Sequence, residues 1–388
     1  MKNKQFVLIL SAVVSISGFS QGMLLPLISF IFERDHVPSI VNGMHATSLY
    51  IGVFLTSLFL EGLLRKWGFK PLIITGGLLV SLSFLLFPIM KTMTFWFMLR
   101  LLVGVGDNML HFATQSWLTH VTPRAQLGRA LAYYGLSFSL GFMLGPLIVP
   151  LVNIHESLPF LISAMMTLIA FALVFTLKNS YPAADEKPVS LKSTFINFSR
   201  VFKTSWVAFL FPMVFGVMES ALNSNFPIFA LKHGLALIDI TWILPMFSLG
   251  TILFQVPIGS LSDHVSRSRL MLVLTLIGAA VFILGDVFII HRYIMMGIFF
   301  VAGVFVGSLY SLGVTYMTEL TPRHLLPAGN LMCGIVFSIG SIMGPVIGGA
   351  VISATDHQSF FIAISSLILL TSFATFIFIM TNRQSTEE

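Results

Sequence analysis

With 388 residues, 56% of them hydrophobic and only 9% charged, the chain lacks the polar groups needed to cover a water-facing surface; soluble domains carry about 25% charged residues. A lone cysteine, Cys333, excludes an intrachain disulfide and a thiol metal cluster. The formal charge of +6 invites a nucleic-acid partner, but the placement of the charges argues against one.

The apolar run behind Lys2 and Lys4 is long enough to span a bilayer and shows no small-residue cleavage site, so it reads as a retained first span. A span needs roughly 20 apolar residues. Twelve runs follow in chain order: 6–32, 43–64, 71–90, 95–119, 130–153, 160–177, 205–230, 240–262, 270–290, 294–318, 330–353 and 360–381. The expected fold class is all-α, with twelve transmembrane helices in two pseudo-symmetric six-helix bundles.

The long connection holds Pro182, Asp185, Glu186, Lys187 and Pro188. It divides the chain into an N-terminal bundle (1–177), a linker (178–204) and a C-terminal bundle (205–388). Within the linker, Phe195, Phe198, Val201 and Phe202 fall near one helical face. That pattern fits either a surface-lying helix or a turn leading into the seventh span.

Lys and Arg asymmetry sets the direction. With the N-terminus cytoplasmic, the inner segments hold 16 basic residues: Lys2, Lys4, Arg65, Lys66, Lys70, Arg124, Arg129, Lys178, Lys187, Lys192, Arg200, Lys203, Arg267, Arg269, Arg323 and Arg383. The outer loops hold 4, Arg34, Lys91, Lys232 and Arg292, and Arg100 alone falls inside a span. Both ends are therefore expected inside, and the net charge reads as topology, with no nucleic-acid partner.

The two halves share a pattern. "GLSFSLGFMLGP" from Gly135 matches "GIVFSIGSIMGP" from Gly334 at an offset of 199. In the same order Gly52 matches Gly250, Gly104 matches Gly303, and the Thr-Pro-Arg at 122–124 matches that at 321–323. Within each ladder the glycines four apart (Gly141 and Gly145; Gly340 and Gly344) clear one helix face for close approach. Pro146 and Pro345 each remove a backbone donor and are expected to bend the helix. Tight packing and a role in closing an outer gate both fit these ladders.

On these residues the chain resembles the major facilitator superfamily of secondary transporters, over essentially its whole length. The family's loop signature G-x-L-x-D-R-x-G-R-K is met by Gly259, Leu261, Asp263 and Arg267. The first copy keeps Leu63, Gly68 and Lys70 but has Glu61 and Arg65 where glycine and aspartate stand in the pattern. Arg100 and Gly104 match R-x-x-x-G. The exporter signature G-x3-G-P-x2-G-G is partial at Gly141, Gly145 and Pro146 and complete in the second half, ending in Gly348 and Gly349. The resemblance implies alternating access about a central cavity lined by spans 1, 4, 7 and 10, a functional monomer, and gate roles for Asp263 and Arg267.

A charge near the bilayer centre costs at least roughly 2.5–3.5 kcal/mol on insertion scales. In the fourth span Arg100, Asp107, His111 and Gln115 form one stripe at spacings of seven, four and four. Two readings stand: a proton site at Asp107, tuned by Arg100 with His111 as relay, or a permanent Arg100–Asp107 pair. Glu219 is the second intramembrane acid, with Asn223 one turn on and Pro227 beyond. The resemblance places it across the cavity from Asp107, where it either binds a proton or cation or sits protonated against a neighbouring helix. Gln21 lies at similar depth, and Tyr310 and Thr315 come from the tenth span. Glu61 and Arg65 have the spacing of a helical ion pair, and Asp286 reads as solvated near the outer surface. No phosphate loop and no metal spacing among the ten histidines appear, so neither enzymatic chemistry nor a cofactor is expected.

The expected protein is a multi-pass transporter of the cell membrane. Its expected partners are protons, a small amphipathic molecule and the lipid bilayer. Proton-coupled efflux is the leading reading, a sugar or metabolite symporter or uniporter the second, and a transport-inactive receptor or scaffold the third.

Overall fold

In hydrocarbon every backbone N–H and C=O must find its partner within the protein, which favours helices for runs of Leu, Ile, Phe and Val. The computed structural model describes residues 2–57, 59–122, 124–182, 191–322, 325–355 and 359–387, and no strand occurs among them. The side chains of Lys2, Lys4, Glu61, Arg124, Arg129, Lys187, Lys192, Phe195, Arg323 and Arg383 lie outside the described set. The expected Glu61–Arg65 pair and part of the charge asymmetry therefore fall outside it too.

The helices of the first half are α1 (Lys2–Arg34), α2 (Ser39–Ser57), α3 (Leu60–Trp67), α4 (Phe69–Leu86), α5 (Met93–Val121), α6 (Arg124–Leu144) and α7 (Leu158–Phe175), with a 3-10 helix at Gly145–Asn153. The second half has α8 (Leu191–Ser224), α9 (Phe226–Lys232), α10 (Leu237–His264), α11 (Arg267–Val287), α12 (Arg292–Val306), α13 (Leu309–Leu320), α14 (Leu326–Ala354) and α15 (Phe360–Glu387). All twelve expected spans are helical. Among the described residues, ten stretches are long and apolar enough to cross a membrane. The two expected spans outside that set are α2, which carries Asn42 and His45, and α5, which carries Arg100, Asp107 and His111. These polar residues lower the hydropathy of the two helices.

Two compact units form: Met1–His36 with Met44–Glu186, and Val37–Gly43 with Lys187–Glu388. The second part of the expected linker is helical, one of the two forms that its pattern allows. Residues from Leu191 onward are helical and run into α8 across a non-helical Ser205 (φ −127°, ψ 16°). Val201 is fully buried in the second unit's core and Phe198 packs against that core.

The glycine ladders close each unit in the same way. In the first, a Cβ on Gly141 would stand 1.8 Å from the Ser15 carbonyl oxygen and one on Gly145 would stand 2.5 Å from that of Phe19. Gly18 and Gly22 of α1 return the contact against Phe138 and Phe142 of α6. In the second unit a Cβ on Gly340 of α14 would stand 2.1 Å from the Met213 carbonyl oxygen of α8, and one on Gly344 would stand 2.3 Å from that of Val217. The prolines act differently in the two copies. Pro146 and Pro150, four apart, remove two donors from one ladder, and the chain turns to 3-10 helix. Pro345 stands alone, and α14 continues past it to Ala354.

Asp286, expected to be solvated, caps a helix from another part of the chain. Its carboxylate accepts the backbone N–H of Phe361 at 3.3 Å and of Ile362 at 2.8 Å, in the first turn of α15. Four N–H groups at that helix start have no intrahelical partner. Asp286→Ala is expected to destabilise the second unit by about 0.5–2 kcal/mol, the usual effect of losing a cap. Chemical unfolding in detergent, read by the near-ultraviolet signal, measures it.

Candidate functional site

The first unit's polar residues are set by how closely α2 and α5 approach. A Cβ on Gly104 would stand 1.9 Å from the Leu49 carbonyl oxygen, and one on Gly52 would stand 2.2 Å from that of Leu101. With the backbones this near, residues 45 and 100 fall opposite one another, and 53 and 108 do so two turns further in. Asn108 Nδ2 donates to the Val53 carbonyl oxygen at 2.8 Å and to Ser57 Oγ at 2.8 Å. Arg100 Nη1 donates to His45 Nδ1 at 3.2 Å, while His45 Nε2 donates to the Met93 carbonyl oxygen at 3.1 Å. This assignment makes the imidazole neutral, because only the neutral ring donates from one nitrogen and accepts at the other. Phe32 and Phe97 close on the ring edge-on, at centroid distances of 4.9 and 5.7 Å.

Of the two readings of the stripe, the permanent Arg100–Asp107 pair is not formed: Arg100 meets His45 instead. Seven residues of α5 separate the two charged groups by about 10 Å along the axis, and α2 lies closer. Among the described residues Arg100 makes no ion pair, and its Nε and Nη2 make no hydrogen bond although the side chain is fully buried. Replacing His45 by Ala is expected to cost about 1–3 kcal/mol, because it removes the acceptor that Nη1 uses. Thermal unfolding of the purified protein measures the loss.

Asp107 is also fully buried. Ser17 of α1 donates to its Oδ1 at 2.7 Å, and the Gln21 side chain lies within interaction reach one turn along α1. Its Oδ2 makes no hydrogen bond that meets normal geometry. His111 turns to a third helix: its Nδ1 lies 3.0 Å from the Tyr134 hydroxyl of α6, and Phe138 packs edge-on against its ring at 4.8 Å. The Tyr134 hydroxyl also lies 3.0 Å from Thr114 Oγ1. Gln115 is exposed. The stripe of α5 thus splits: Arg100 faces α2, Asp107 faces α1, His111 faces α6, and Gln115 is open.

In the second unit Glu219 is half-buried on α8 and accepts no side-chain hydrogen bond from any described residue. Asn223 is spent on the helix itself, its Nδ2 donating to the Glu219 backbone carbonyl at 2.8 Å. Tyr310, in the first turn of α13, lies within electrostatic reach of Glu219. Tyr310 also packs with Phe215 at 6.3 Å and Phe337 at 5.3 Å, and Phe215 stands one turn before Glu219. A carboxyl without a side-chain hydrogen bond, within reach of Tyr310 in an aromatic cluster, suits a cation with apolar substituents. Thr315 only bonds back to the Ser311 carbonyl oxygen.

The candidate gate residues form a separate cluster. Arg267 donates from Nη2 to Asp263 Oδ1 at 2.8 Å, from Nη1 to Glu319, and from Nε to Ser262 Oγ at 3.3 Å. Arg267 is 8% exposed and Asp263 67%, so the arginine is the enclosed member. Pattern reasoning misses Glu319, His45, Ser17, Tyr134 and Phe337. Of these only His45, an intramembrane histidine, gives a signal in the chain itself.

Three comparisons bear on this arrangement. The model of the Major Facilitator Superfamily matches residues 10–239 and 208–388. The chain is 48% identical over 356 residues to the "Uncharacterized MFS-type transporter YfkF" of Bacillus subtilis, covering 92% of this chain and 90% of that one. It is 27% identical to "Multidrug resistance protein 1" of the same organism, covering 86% of this chain and 88% of the other. Among solved structures, the nucleoside transporter NupG superposes with a TM-score of 0.79 at 14% identity, over 96% of this chain and 98% of that one. A bacterial homologue of the human lysosomal transporter Spinster gives 0.71 at 14% identity, over 97% and 94%. These last two speak for the fold alone. With the family pattern matched from residue 10 to the end and nearly half of the residues shared with an MFS-type transporter, the chain is a multi-pass membrane transporter and belongs to the Major Facilitator Superfamily.

Proposed function

We propose that the chain exports small amphipathic cations across the cell membrane in exchange for protons, with both termini cytoplasmic. The observation that carries the reading is Asp107: a fully buried carboxyl with one oxygen held by Ser17, Gln21 within interaction reach, and no ion pair among the described residues. A buried acid of this kind can take and release a proton without breaking a salt bridge. Glu219, with Tyr310 of the Phe215–Tyr310–Phe337 cluster within reach, serves as the cation-binding group. The likeness to Multidrug resistance protein 1 supports efflux of such compounds. Asp263 and Arg267 hold a gate, and the glycine crossings keep each bundle rigid while it rocks. No nucleotide is needed: one-for-one exchange of a proton for a monovalent cation is electroneutral, and the pH gradient supplies about 1.4 kcal/mol per pH unit.

Proteoliposomes with an imposed pH gradient test this. A lipophilic cation such as tetraphenylphosphonium should be driven against its gradient, and a protonophore should stop it. Flux indifferent to the pH gradient identifies a uniporter. Gradient-driven uptake of a nucleoside or sugar identifies a symporter. No flux of any solute identifies a scaffold.

A further inference from the structure

Two adjoining crevices run along the second unit where α8, α14 and α15 meet, with volumes of about 270 and 200 Å³. Val217, Ile347, Leu367 and Leu370 line both, so the two form one groove. Its lining on α8 extends from Leu210 to Ala221 and on α15 from Phe360 to Ala374. At 1.5 Å per helical residue these stretches are about 17 and 21 Å long, slightly more than half of the roughly 30 Å hydrocarbon thickness, or one leaflet.

The groove asks for no polar partner. It contains no titratable side chain. Its two hydroxyl residues are already satisfied within their own helix: Ser366 Oγ donates to the Ile362 carbonyl oxygen at 2.8 Å and Thr371 Oγ1 to that of Leu367 at 3.2 Å. Small residues give it depth: Ala363 and Ala374 on one wall, Gly344 and Gly348 on its floor. Those floor glycines cannot grow to fill it, because their remaining space is taken by Val217, Ser220 and Asn225. The groove opens beside Leu370, which is 65% exposed, on the same apolar flank as the exposed Phe373 and Ile362.

We propose that this groove is a docking site for one acyl tail of a bilayer phospholipid. A long ligand with no hydrogen-bonding demand is an alkyl chain, and the solvent on that flank of a membrane-spanning bundle supplies it. The tail then lies against the glycine crossing of α8 and α14 and keeps α15 apart from α14, doing the filling that side chains leave undone.

The full chain, reconstituted in vesicles of phosphatidylethanolamine and phosphatidylglycerol carrying a diazirine on the acyl chain, provides the test. Peptides should be labelled at the groove positions of α8, α14 and α15 several-fold more than at Leu161, Met165 and Ile169, the exposed apolar face of α7. Ala363→Phe with Ala374→Phe should reduce groove labelling several-fold and leave the α7 labelling unchanged. Equal labelling of the two faces in the unaltered protein overturns the proposal, whether or not the double variant folds. So does labelling that the filled groove retains. Displacement of the label by a saturating lipophilic cation overturns it in favour of a lateral entry for substrate.

Discussion

Asp107→Asn is expected to uncouple transport from the proton gradient while leaving insertion and folding intact. The asparagine keeps an oxygen to accept the Ser17 hydroxyl, which donates to Oδ1 at 2.7 Å in the native protein. Its amide nitrogen replaces Oδ2, an atom that makes no hydrogen bond to begin with. The change therefore removes the exchangeable proton and very little packing. Exchange of one proton for one monovalent cation moves no net charge, so the pH gradient drives it: one pH unit supports about 1.4 kcal/mol of work, or about a tenfold concentration ratio. In vesicles clamped at zero potential with an imposed pH gradient, the variant's steady-state ratio should fall toward unity, while downhill counterflow of the cation continues. Ser17→Ala removes the donor but keeps the acid, so it should shift the pH dependence and retain a gradient. Glu219→Gln should weaken cation binding first, raising the half-saturating concentration. If Asp107→Asn still builds a proton-driven gradient, Asp107 is not the coupling group.

The helices, the duplication and the glycine positions are legible in the chain because they depend on local composition and spacing. A run of 20 apolar residues has few alternatives in a bilayer. Gly52 with Gly250 and Gly104 with Gly303 stand out as repeats for the same reason. Their meaning is not legible there. Gly104 clears space for Leu49, and Gly303 for Phe247, so each repeated pair marks one helix crossing, α2 with α5 and α10 with α12. Partners across helices depend on that crossing, which the order of residues does not encode locally. Arg100 therefore looks like a neighbour of Asp107, the nearest acid along its own helix, and meets His45 from another. Asp286 misleads for a related reason: it sits at a helix end and looks free, but its partners are the first backbone amides of α15, 75 residues further on. The apolar face of the linker's second part, by contrast, is legible in the chain, and Val201 on it is buried in the second unit's core.

The same limit makes two glycines of one motif behave oppositely. Gly135 and Gly141 open the same repeated ladder and look equivalent in the chain. A Cβ on Gly135 meets nothing within 4 Å, whereas one on Gly141 stands 1.8 Å from the Ser15 carbonyl oxygen and 3.0 Å from the Phe19 backbone nitrogen. Both sit inside α6, where alanine is favoured over glycine by about 0.8–1.0 kcal/mol on helix propensity. Gly135→Ala should therefore stabilise the first unit by up to that amount. Gly141→Ala must push α1 away from α6, since both obstructing atoms are backbone and cannot rotate aside. Overpacking of this kind costs about 1–3 kcal/mol, so the net change is a loss. The separation also draws Ser17, midway between Ser15 and Phe19, away from Asp107, so transport should fall along with stability. Unfolding of the two variants under identical detergent conditions gives shifts of opposite sign if the crossing is as tight as its geometry. Equal shifts would mean that α1 and α6 do not meet through their backbones at this position.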